Sequence, residues 1–145
     1  MKCEYDVINY VYKNAEMGMQ STKTLIDTLK NKDNKIGNVL EDIYNSYEQF
    51  FKESSKVLKE MDEKGTKFGP VATISADMGI KMQVLKDNSD SAIADMLIKG
   101  LTMGELEMTK LYDKKDCDVS NNIKDIINDF KDFQSNAIVK LKNYL

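Results

Sequence analysis

The chain has 145 residues, 41% of them hydrophobic, with 21 Lys against 24 Asp and Glu for a net charge of -3; it contains neither His nor Arg. That length accommodates one core and one domain spanning residues 1–145. Without His, imidazole ligation and Ser-His or Cys-His nucleophiles are excluded. Without Arg, the planar fork that grips phosphate is missing, so nucleic acid is not an expected partner.

The first residues, Met1 to Tyr12, mix charged and apolar side chains and lack the apolar run of a signal peptide, and about 18 consecutive apolar residues occur nowhere. A cytoplasmic protein with no membrane span is the expectation. From Glu4 to Lys30, apolar or small residues recur at three-four spacing (Ile8, Val11, Ala15, Gly18, Thr22, Leu25, Leu29), which predicts a first long helix. A polar turn at Asn31 to Lys35 leads into a second, carried by Ile36, Leu40, Ile43, Tyr47, Phe50, Val57 and Met61 and ending near Lys64-Gly65.

Gly65 to Pro70 holds strong helix breakers and predicts a loop. Val71, Ile74, Met78, Met82 and Leu85 then line one face of a short helix, and Asp87-Asn88-Ser89-Asp90 interrupts it and offers a cap for the next. A third long helix carries Ala94, Leu97, Leu101, Gly104, Met108 and Leu111; a turn spans Asp116 to Asn121; a fourth carries Ile123, Ile127, Phe130, Ala137 and Leu141. With almost no internal breakers, the fold class is all-α.

Two internal echoes suggest how these helices are related. Asp42-Ile43-Tyr44-Asn45-Ser46-Tyr47-Glu48-Gln49-Phe50 returns as Asp125-Ile126-Ile127-Asn128-Asp129-Phe130-Lys131-Asp132-Phe133, an offset of 83 residues. Lys13, Met17, Gly18, Leu25 and Asp27 return as Lys99, Met103, Gly104, Leu111 and Asp113 at an offset of 86. Two helical hairpins related by duplication are the simplest reading. Gly18 and Gly104 fall at the centre of a core face, where glycine costs about 1 kcal/mol of helix propensity, so a packing reason is expected, such as close approach of the first and third long helices. The connection between the hairpins is about 24 residues long and carries its own helix. It can return the chain along the bundle, so that the third long helix starts where the second started.

Two hairpins in repeat joined by a long crossover resemble the ferritin-like four-helix bundles. Asn14-Ala15-Glu16-Met17-Gly18 and the stretch Ile93 to Gly104 (Ile-Ala-Asp-Met-Leu-Ile-Lys-Gly-Leu-Thr-Met-Gly) resemble an uncharacterised group of small bacterial proteins of that shape from low-GC Gram-positive organisms. The resemblance implies an antiparallel four-helix bundle with a short extra helix in the crossover, and no assigned activity. Superfamily members with a di-metal centre place one Glu on each of two helices and a Glu-x-x-His on each of the others. Here Glu48 is followed three residues on by Phe51, and the corresponding positions in the second half are Lys131 and Gln134. The di-metal ligands are absent, and no cofactor and no catalytic residue are expected.

A non-catalytic bundle acting through contact with an unidentified protein, a homodimer being the simplest case, is the leading expectation. Its rival is an oxygen-ligand metal protein drawing on Glu105, Glu107 and Glu16. Glu105 is the carboxylate placed at a stripe position, where its counterpart is Met19; Glu16 and Glu48 lie outside the stripes and read as solvated. A third reading is a thiol redox sensor using Cys3 and Cys117, although two cysteines in a cytosolic chain are more often reduced. A ferritin-like order places the starts of the first and fourth long helices, and hence these cysteines, at one end; simple up-down packing separates them.

Overall fold

The computed structural model describes residues 2–113 and 117–145; Lys114 and Lys115 lie outside it, as does Asp116, the first residue of the expected second turn. The chain is 81% helix with no strands among the described residues. Its helices are α1 (Lys2–Thr28), α2 (Gly37–Glu60), α3 (Pro70–Lys86), α4 (Asp90–Met108) and α5 (Asn121–Lys142), and α4 runs on into a π-helical turn, Thr109–Asp113. No described helix is long and apolar enough to cross a membrane.

Local chemistry sets several boundaries. Ser89 caps α4, its hydroxyl accepting from Ala92 N at 3.2 Å, and Pro70 sits where a missing N–H costs nothing, in the first turn of α3. The end of α2 comes before Gly65. Asp62 takes a left-handed conformation, φ 55°, while its N–H donates to Lys59 O and that of Glu63 to Leu58 O, a Schellman pair closing the last turn. Gly65 has no positive φ; a Cβ there would lie 2.5 Å from the Tyr12 ring, so it serves close packing.

Helix directions follow from contacts between distant parts of the chain. The start of α1 meets the end of α2, where Tyr5 donates to Lys64 O at 3.0 Å and Asn9 pairs with Thr66. The start of α2 meets the start of α4, where Asp90 accepts from Asn34 at 2.8 Å and from Lys35 N at 2.9 Å. Helix α3 returns the chain between those ends, tied to α1 by a hydrogen bond from the Thr24 hydroxyl to Asp77. That bond, with Lys81 as the second cause, holds the Asp77 carboxyl below the usual carboxylate value. The start of α5 lies beside the start of α1, where Ser120 N donates to Glu4 at 2.7 Å. Thus α4 begins where α2 begins, as a crossover through α3 requires.

The core has two apolar halves. One gathers Val7, Ile8, Val11, Phe50, Met108 and Ile127; the other gathers Leu25, Ile36, Leu40, Ile93, Leu101 and Leu141. Tyr47 and Phe133 border both. At this junction Tyr47 and Phe133 meet edge to face (4.9 Å, 78°), as do Phe50 and Phe130 (5.0 Å, 83°). Adding 83 to Tyr47 and Phe50 gives Phe130 and Phe133, so exchanging counterparts turns one aromatic pair into the other.

Candidate functional site

Between the two halves the bundle does not close. Helices α1 and α4 touch little, and a cavity of about 230 Å³ lies among α1, α2, α4 and α5, with Ile80 of α3 also lining it. Gly18 and Gly104 sit at this level. The expected approach of α1 to α4 is not what explains them. A Cβ on Gly18 would fall 2.5 Å from the Tyr47 ring of α2, and one on Gly104 would fall 2.7 Å from Gln134 Nε2 of α5. Each glycine makes room for a polar side chain from the other helix of its own hairpin.

Tyr47 and Gln134 give this level its chemistry. The Tyr47 phenol, protonated at neutral pH like any tyrosine, is pushed further above its ordinary value by burial, with Tyr10 adding a smaller effect. Gln134 is 2% exposed, and its Oε1 is buried without a hydrogen-bond partner among the described residues. Such an atom costs about 1–3 kcal/mol, so it needs an explanation. Tyr10, next to them, donates to Gly104 O at 2.8 Å; burial, then Glu107, pushes its phenol up to about 12.

The carboxylates singled out in the sequence do not converge. Glu105 is half-buried at the bundle edge and accepts from Ser135 at 2.9 Å. Glu107 is exposed, 3.9 Å from Lys110. Glu16, expected on a solvated face, is half-buried: one oxygen accepts from Gln20, and the other is buried without a partner. Among the described residues, no three Cys, Asp or Glu side chains are arranged to hold a metal ion. Neutral Tyr47 and Gln134 line the middle of the bundle, a donor set that does not fit a carboxylate-bridged di-metal centre.

Cys3 and Cys117 are joined by a disulfide, Cα to Cα 6.0 Å, where the sequence favours two reduced thiols. The shared end of α1 and α5 brings them together.

The outer face of α3 has no partner among the described residues. Val71, Ile74, Met78, Met82 and Leu85 are between 57% and 86% exposed; Val84, on the opposite face, is buried, and Ile80 is half-buried. The apolar stripe legible in the sequence therefore points away from the bundle.

Comparison with known protein families, curated proteins and solved structures finds no match for this chain. Two places carry features that a closed helical scaffold does not need, the polar middle of the bundle and the outer face of α3. Sequence reasoning misses Gln134 as a site residue, reading it only as a lost ligand position, and assigns Tyr47 to packed core. Their signal is the glycine opposite each of them.

Proposed function

We propose that the chain is a ferritin-like bundle without a di-metal centre, acting non-catalytically through protein contact, with a second copy of itself as the partner of α3. The crossover through α3 and the exchangeable aromatic pairs support the two-hairpin, ferritin-like reading. The observation that carries the functional reading is the exposed stripe. A monomer gains nothing by turning five apolar side chains outward along one helix, whereas association removes them from water. Burying each contributes about 1.5–3 kcal/mol before the costs of association.

The spacing favours a second copy. From Val71 through Ile74, Met78 and Met82 to Leu85 the gaps are 3, 4, 4 and 3, the same from either end. Two α3 helices packed antiparallel about a twofold axis would put Met78 against its own copy, Ile74 against Met82 and Val71 against Leu85, an isologous contact. A helix of 17 residues is about 25 Å long, so the contact is smaller than a standard interface of about 800 Å² per partner. Association through so small a contact is expected to be reversible and to depend on protein concentration.

Sedimentation velocity over a concentration series tests this. A monomer–dimer equilibrium in wild type that shifts at least tenfold toward monomer in Met78→Lys, with unchanged helicity, is the expected result. A monomer throughout overturns it, as does binding of the stripe to phospholipid vesicles in place of self-association.

A further inference from the structure

We infer that the cavity in the middle of the bundle is a binding site for a small, uncharged, largely apolar molecule carrying one hydroxyl. Size, charge and polarity each narrow the class. Cavities of about 150 Å³ take up benzene; this one, at about 230 Å³, has room for a substituted or fused aromatic ring. Its walls include Leu25, Ile43, Leu97 and Phe130, and no charged side chain among the described residues lines it. A charged ligand would lose its hydration with no counter-ion in return.

The polar requirement comes from Gln134. This side chain lines the cavity, is almost wholly buried, and has no partner for Oε1. Leu at this position would fill a similar volume without the desolvation cost, so the unpartnered carboxamide costs stability unless something hydrogen-bonds to it. A ligand hydroxyl can donate to Oε1. The protonated phenol of Tyr47 lines the same cavity and can donate to an oxygen acceptor. A purely apolar ligand would leave Gln134 unpartnered; one carrying a hydroxyl removes that penalty, which is how buried polar groups discriminate between ligands. The cavity reaches the surface at Gly100, an exposed lining residue with nothing within 4 Å of a Cβ position, which leaves an entry path.

The test titrates the full chain with p-cresol and with toluene, followed by amide chemical shifts. Saturable shifts with p-cresol at residues 18, 47, 101 and 134, with toluene at least tenfold weaker, are expected. In Gln134→Leu, p-cresol should weaken at least tenfold while toluene does not. Leu97→Trp, which fills the cavity, should abolish binding of both in a chain whose spectrum remains that of a folded bundle. The inference is overturned by the absence of saturable shifts at millimolar p-cresol, by equal binding of the two probes to wild type, or by unchanged p-cresol affinity in Gln134→Leu. If Leu97→Trp does not fold, the comparison of Gln134→Leu with wild type decides the matter. None of these readouts depends on self-association through α3.

Discussion

Tyr10 and Gly104, 94 residues apart in sequence, are joined by a hydrogen bond of 2.8 Å from the phenol of α1 to a backbone carbonyl of α4. These two helices otherwise touch little, because the cavity lies between them. The bond spans the open side of the bundle at its polar middle. Tyr10→Phe removes it and is expected to cost about 0.5–1.5 kcal/mol, read as a lower urea midpoint at unchanged m-value.

The same phenol gives the protein an alkaline limit. Burial raises the folded pKa of Tyr10 to about 12, above the value of about 10 in the unfolded chain, so the folded state holds this proton more tightly. The stability contributed is fully present below about pH 10 and is lost as pH rises toward 12. Tyr47, shifted in the same direction by burial, adds to the loss. Urea midpoints measured across this range should fall more steeply for wild type than for Tyr10→Phe; parallel curves would remove Tyr10 as the cause.

Alanine at three helical glycines should produce an ordered series. At Gly18 the new Cβ meets the Tyr47 ring, itself packed against Phe133, and overpacking at about 1–3 kcal/mol outweighs the propensity gain of about 1 kcal/mol. At Gly104 the clash is with the flexible end of Gln134, which can shift, so the net effect is near zero. At Gly100 a Cβ meets nothing, and alanine should stabilise by about 0.5–1 kcal/mol. Thermal melts would give the order, with Gly18→Ala lowest.

The Cys3–Cys117 bond closes nearly the whole chain, a separation of 114 residues. Constraining so long a loop in the unfolded state is worth about 2–5 kcal/mol. Wild type purified without reductant should show no free thiol and should lose stability of that order on reduction, whereas Cys3→Ser should already have the lower value and ignore the reductant.

Asp62→Gly tests the end of α2. A non-glycine residue at φ 55° carries backbone strain that glycine does not, so the substitution should stabilise by about 0.5–1 kcal/mol in denaturant melts.

Much of the architecture is legible in the residue order alone. Three-four spacing from Ile8 to Leu29, and again from Ile123 to Leu141, marks helices because a buried face must repeat with the helical period. Gly65 to Pro70 and Asp87 to Asp90 mark the breaks, since glycine, proline and capping side chains act within a few residues of themselves. Ser89 acts as the cap that its position suggests.

The site is much less legible. Gln134 reads as one more polar residue on a helix, and Gly18 as a seam between α1 and α4, because periodicity names the buried face but not the neighbour across it. Val71 to Leu85 illustrates the same limit. Their spacing places them on one side of α3, but that this side faces outward depends on Ile80 and Val84 packing inward and on Thr24 holding Asp77.

By itself, then, the sequence determined the helical class, the breaks between elements and the absence of imidazole chemistry, since these depend on residue identity and on neighbours within a few turns. Only the tertiary structure decided that Cys3 meets Cys117, that Tyr47 and Gln134 share a neutral cavity, and that an apolar stripe remains outside. Each of those depends on which helices lie side by side, and that is chosen by how all the faces together can be buried.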